Sequence, residues 1–158
     1  MNDEQPQNLS EPGAYSGLAA QLGRAMGEPT EGLARFAEVL VQTEDVEWEA
    51  KSLQGLWQKM LWRDDESGAS IALIRFEQGV GVPSVHSHAS NQFMFCLSGR
   101  YVYTKSGIVL GPGSFYWNPK GSEHGPTVAE EETIFLEIYD GPHYPVQPSW
   151  YSDAEDAR

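Results

Sequence analysis

From about residue 34 the chain breaks into short apolar segments separated by glycine, proline, aspartate or serine, and this pattern constrains the fold more than any other feature. ARFAEVLV, EWEA, LWQKMLW, ASIALIRF, QFMFCLS, YVYTK, SFYWN and TIFLEIY are rich in aromatic and β-branched residues. Segments of this length and composition, bounded by turn residues, read as β-strands. Many short strands with no long helical segment between them point to a closed or two-sheet antiparallel structure, not to a parallel α/β sheet. With 5 Trp, 7 Tyr and 6 Phe in 158 residues, the chain has enough large apolar surface to fill one core.

The ends read differently. Residues 1–13 are polar and form an expected flexible tail. Leu18, Leu22 and Met26 then recur at helical spacing, which predicts a short N-terminal helix over Ala14–Met26. A single domain is expected over residues 14–144, followed by a Pro-rich, then acidic, tail over 145–158. The formal net charge of −13 repels phosphate backbones and anionic lipid, so neither nucleic acid nor membrane is an expected partner. One cysteine, Cys96, cannot form an intrachain disulfide. With no signal-like N-terminus, a cytoplasmic location is expected.

There are four histidines, and two of them form His86-Ser87-His88. On a strand, residues two apart face the same side, so both imidazoles would point into one space. A third, His124, follows a turn-forming Asn118-Pro119-Lys120-Gly121 stretch that can bring the chain back toward the first pair. Imidazole suits iron, zinc, nickel, copper and manganese alike, so the ligand type alone selects no metal. Gln92 lies four residues beyond His88. By alternation it shares a face with Met94 and Cys96, while Phe93, Phe95 and Leu97 take the other.

These residues resemble the two motifs of the cupin family. The first motif runs glycine, His-x-His, glutamate, glycine; here it reads Gly81, His86-Ser87-His88, Gln92, Gly99. The second runs glycine, Pro-x-Gly, histidine, asparagine; here it reads Gly113, Pro119-Lys120-Gly121, His124, Val128. The resemblance spans roughly residues 45–141. Gly81 stands one residue closer to His86 than the pattern has it, Val128 replaces the asparagine, and Gln92 replaces the glutamate. The resemblance implies an all-β, antiparallel jelly-roll barrel with a divalent metal in its mouth, held by His86, His88 and His124. It makes Gln92 either a neutral fourth ligand or a hydrogen-bonding residue beside the ligands.

Without the glutamate, the ion would keep both positive charges in a low-dielectric interior, which favours an anionic ligand such as a chelating enolate or phenolate. Three-histidine cupins of this size are similar to the acetylacetone-cleaving and dihydroxyacetophenone-cleaving dioxygenases. That similarity implies Fe(II), with Zn, Ni or Mn as alternatives, and a small carbonyl or enol substrate whose C–C bond is broken by dioxygen. A zinc-dependent cyclase or isomerase, and a cupin that binds a small molecule without turnover, are the competing readings.

Other positions carry weaker signals. Glu137 is the one charge in the apolar strand TIFLEIY, on the face of Phe135 and Tyr139. With Gln92 it is a candidate catalytic residue, orienting a histidine or passing a proton, although an exposed strand position is equally consistent. Phe115 and Trp117 share one face and Tyr116 takes the other; alternation does not say which is inside. His143 follows the last strand. The second apolar face of Phe93, Phe95 and Leu97 needs cover, which a second subunit or the segment over residues 34–41 could provide; a homodimer is expected.

Overall fold

The computed structural model describes residues 38–145, 148 and 150. From Leu40 onward they belong to one compact unit. The fold is all-β and antiparallel, with strands β1 (Glu49–Ala50), β2 (Leu56–Arg63), β3 (Ser70–Phe76), β4 (Gln92–Tyr103), β5 (Ile108–Leu110), β6 (Phe115–Asn118) and β7 (Thr127–Tyr139). They form one sheet in the order β1-β2-β3-β7-β4-β5, with β6 also paired to β4. Among the described residues no helix is long and apolar enough to cross a membrane. The expected N-terminal helix lies outside the described residues.

The inward face carries Ala72, Ile74 and Phe76 of β3, Met94 and Cys96 of β4, and Phe135 and Tyr139 of β7, all buried. Phe135, with no exposed surface, meets Tyr101 and Phe76 edge-on; burying such a ring is worth about 2–3 kcal/mol. The second motif is also resolved. Tyr116 and Asn118 turn inward, whereas Phe115 and Trp117 are exposed.

QFMFCLS and YVYTK, expected as two strands, are one strand, β4. Its inward residues are Gln92, Met94 and Cys96 before Gly99, and Tyr101 and Tyr103 after it. The parity changes because the pairing with β7 slips between Cys96 and Tyr101, a β-bulge that inserts one residue. Gly99 sits there at φ 85°, where a Cβ would lie 2.2 Å from the Glu132 carbonyl oxygen. Only glycine fits.

Two further expectations need correction. Of the expected strand over 34–41, the described residues 38–41 are not in a strand; Val39 and Leu40 are exposed, and a short 3-10 turn, Thr43–Asp45, follows. Apolar composition alone does not make a strand, and an exposed apolar pair buries too little surface to hold one. β7 also starts earlier than TIFLEIY, because Glu130, Glu131 and Glu132 lie exposed along it and break the apolar signal without breaking the ladder.

Candidate metal centre

The expectation that His86 and His88 lie on a regular strand does not hold, yet their side chains converge. The segment from Gly79 runs beside residues 124–129 through hydrogen bonds from Gly79 N to Ala129 O, Ala129 N to Val80 O and Thr127 N to Val82 O. Pro83 supplies no N–H, which interrupts the ladder. It closes again at an isolated bridge in which His86 N donates to His124 O at 3.0 Å and His124 N to His86 O at 2.9 Å. Two histidines far apart in sequence are thereby pinned opposite one another. Gly81 permits the approach, since a Cβ there would meet Thr127 O at 2.0 Å. The Pro119-Lys120-Gly121 turn is tied to the third ligand position by Gly121 N donating to His88 O at 3.0 Å.

The three imidazoles present their Nε2 atoms to one another. His86 and His124 are 2.9 Å apart there, His88 and His124 3.2 Å, and the ligand nitrogens all lie within 4.8 Å. Nδ1 of His86 lies 3.1 Å from the Ser84 carbonyl, and Nδ1 of His88 lies 3.2 Å from the His143 carbonyl. A carbonyl only accepts, so both Nδ1 atoms carry the hydrogen and both Nε2 atoms hold lone pairs directed at His124. One hydrogen on His124 Nε2 satisfies at most one of them, and His124 Nδ1 is buried without a partner. A cation resolves this clash of lone pairs. Metal–nitrogen bonds of about 2.0–2.1 Å place adjacent ligands about 2.9–3.4 Å apart in octahedral or tetrahedral geometry, which fits both short separations.

Burial strips water from all three rings and disfavours the imidazolium. His88 and His124 are lowered to about 3, with the neighbouring histidines adding to the effect, and His86 is lowered by the same cause against the opposing Ser84 bond. The rings are therefore neutral at physiological pH, the form that binds a metal. His143, also lowered mainly by burial, packs flat against His88 at 5.0 Å but is not one of the converging group.

Gln92 and Glu137 come together beside this group. Gln92 on β4 opposes Tyr139 on β7 in register, and Glu137 is the diagonal neighbour. Gln92 Nε2 donates to Glu137 Oε1 and to Tyr139 Oη, both at 2.8 Å. Its Oε1 is buried with no partner. The Tyr139 hydroxyl also lies 3.5 Å from His88 Nε2 and 3.4 Å from Glu137 Oε1. Glu137 is half-buried and lines two adjoining cavities. Burial raises its pKa against the pull of Lys51, Gln92 and Tyr139.

Sequence reasoning gave no role to several residues that line this cavity: Lys51, Tyr103, Tyr144 and Trp150. Tyr144 and Trp150 lie 6.0 and 5.6 Å from the His86 ring, and Trp150 Nε1 donates to Ser84 Oγ at 2.9 Å. Their one available signal was aromatic content in an otherwise polar terminal stretch.

Comparison with known proteins places the fold in a family. None of the curated proteins matches the chain. Among solved structures, it is similar to an acetylacetone dioxygenase from Acinetobacter johnsonii, at 20% identity over 65% of this chain and 74% of that one, TM-score 0.58. It is also similar to the polyketide cyclase RemF from Streptomyces resistomycificus, at 18% identity over 72% and 89%, TM-score 0.52. A third similar structure is that of Rhodobacter sphaeroides SigE with the anti-sigma ChrR, at 26% identity over 87% and 71%, TM-score 0.50. Residues 37–143 match the ChrR cupin-like domain. The chain therefore belongs to the ChrR cupin-like domain family of the cupin superfamily.

Proposed function

We propose that the chain is a metal-dependent dioxygenase that cleaves a C–C bond in a small 1,3-diketone or hydroxyketone. The observation that carries this reading is the pair of lone pairs on His86 and His88, fixed by the Ser84 and His143 carbonyls and aimed with His124 at one point. When bound there, Fe(II) supplies Lewis acidity and redox chemistry toward dioxygen. The three neutral imidazoles leave the ion's charge unbalanced, so the site attracts the enolate form of the substrate. Gln92 Oε1, lacking a partner, accepts a hydrogen bond from the substrate or serves as a fourth ligand. Glu137 and Tyr139 hold the Gln92 amide in place and keep exchangeable protons beside it. Both atoms of dioxygen end in the products, one in a carboxylic acid and one in a new carbonyl or second acid, so no external reductant is needed.

A second reading is a ligand-binding regulatory module, favoured by the similarity to the anti-sigma ChrR across 87% of this chain. Metal analysis of anaerobically purified protein, followed by oxygen uptake with 2,4-pentanedione and hydroxyacetophenones, separates the two. One metal per chain and uptake matching substrate loss support the dioxygenase. Zinc with ketone conversion but no uptake assigns a cyclase-type reaction, and binding without conversion assigns the regulatory module. His88→Ala should remove the metal while leaving the far-UV circular dichroism unchanged; a fully loaded variant would refute the centre.

A further inference from the structure

The inward residues of β3 grow in size along the strand: Ser70, Ala72, Ile74, Phe76. The large end packs into the core, where Phe76 meets Tyr101 and Phe135. The small end leaves space. Across the sheet, Ser70 stands in register between Arg63 of β2 and Tyr139 of β7, and Ala72 between Met60 and Glu137. A cavity of about 240 Å³ lies over these two rows. Backbone frames its end: Gly68 N donates to Asp64 O at 2.8 Å in the turn between β2 and β3, and a Cβ at Gly68 would come within 3.1 Å of Pro142.

Close-packed interiors hold few voids larger than a water molecule, so a hollow of this size is a space for a ligand. It adjoins the cavity at the imidazoles, and Ile74, Glu137, Tyr139 and His143 line both. Tyr139 stands at the junction: its hydroxyl lies 3.5 Å from His88 Nε2, and its partner across the ladder is Ser70. The two spaces take groups of different size. The metal cavity, about 50 Å³, has room for an ion and a few water-sized groups. An apolar cavity of about 150 Å³ already accommodates a benzene ring, and the second cavity is larger than that. Its lining mixes Met60, Ala72 and Ile74 with Gln58 and Ser70, which suits a ring that carries a polar substituent.

We propose that the second cavity is the subsite for an aryl group, so that the substrate class is an aryl-substituted 1,3-diketone or hydroxyketone and not a dialkyl diketone. The chelating oxygens lie at the imidazoles, and the ring extends past Tyr139 and Glu137 over Ser70 and Ala72. These two small residues set the specificity, because the space exists only where β3 carries no large inward side chain. This rests on the metal–enolate reading above.

The test uses the full chain loaded with Zn(II), an ion without redox chemistry, and titration calorimetry with 2,4-pentanedione and 1-phenyl-1,3-butanedione. The probes share the chelating dicarbonyl and differ by a ring in place of a methyl group. Wild type should bind the aryl probe about tenfold or more tightly. Ala72→Leu fills the second cavity and should bring that ratio to about one, with the affinity for 2,4-pentanedione unchanged. Ser70→Leu, at the half-buried start of β3, fills the same space from the neighbouring row and should do the same, which keeps the test decisive if the buried substitution unfolds the sheet. Equal binding of both probes by wild type overturns the subsite and leaves the metal–enolate reading standing. An aryl preference that survives in either folded variant also overturns it, because the ring then sits elsewhere. If neither probe binds the zinc-loaded wild type, the metal–enolate reading fails and the subsite with it.

Discussion

Acidifying the metal-free protein should destabilise it steeply, and the effect can be sized from two side chains. His88 and His124 are buried and lowered to about 3 from an ordinary 6.5. The unfolded chain takes up these protons as pH falls through 6.5, while the folded chain does so only near pH 3. Between those values the unfolded state binds more protons, so stability falls as pH falls. At pH 5 each histidine costs about 2 kcal/mol, and the pair about 4 kcal/mol, a large part of the roughly 5–15 kcal/mol that holds a domain folded. Glu137 works in the opposite sense. Its folded pKa is raised, so it contributes stability as pH falls through that value. A His88→Gln/His124→Gln variant keeps Glu137 and the surface acids, and so isolates the histidines.

Urea unfolding of chelator-treated protein at pH 7.5 and pH 5.0 provides the measurement. Wild type should lose about 4 kcal/mol more than the double variant between the two conditions. Saturating Zn(II) should raise wild-type stability at both pH values and leave the difference nearly intact, since the folded rings carry no protons to release in that window. Equal acid losses in wild type and variant, within about 1 kcal/mol, would refute the claim that burial keeps these rings neutral.

Gln92→Glu places a second carboxyl against Glu137 and adds negative charge at the site; affinity of the metal-loaded protein for 2,4-pentanedione should fall about tenfold, and an unchanged affinity removes the charge argument. Trp150 lies 5.6 Å from His86, so binding of Co(II) or Cu(II) should quench tryptophan fluorescence, and Trp150→Phe should abolish most of that quench; the same quench in both proteins refutes the placement. Gly81→Ala drives a Cβ into the Thr127 carbonyl and should cost about 2–4 kcal/mol in urea unfolding. The outer face carries the rows Ile71–Ile138–Phe93–Trp117 and Leu73–Leu136–Phe95–Phe115 across four strands, an apolar platform expected to pair with a second copy. Phe95→Asp should shift a sedimenting dimer to monomer, and a wild-type monomer at micromolar concentration ends that expectation.

What the sequence made legible follows from what each signal encodes. Alternation in QFMFCLS correctly grouped Gln92, Met94 and Cys96, because a strand's period of two is local. It could not say whether Tyr116 or the Phe115–Trp117 pair faced inward, since parity carries no direction until a partner strand is known. Nor did it show that Gly99 reverses parity midway along β4; a bulge is a property of two strands, and only one was in view. The histidine trio was legible through spacing and motif, but its tautomers were not. They depend on the Ser84 and His143 carbonyls, and backbone oxygens leave no mark in composition.

The glutamine at position 92 is best understood together with Glu137, which no motif connects to it. A glutamate at 92 would stand within hydrogen-bond distance of the Glu137 carboxyl, 2.8 Å as the amide now stands, and the two acids would have to share a proton in a buried site. An amide removes that conflict, because it donates where a carboxylate would repel. The carboxyl has thus not been lost from the inner face. It stands on the neighbouring strand, diagonal to position 92 and joined to it by the amide. A metal at the imidazoles would have no anionic protein ligand from position 92, yet a carboxyl whose pKa burial raises would remain one hydrogen bond away. Charge balance at the ion then falls to what enters the cavity, which is why an anionic ligand is the expected occupant.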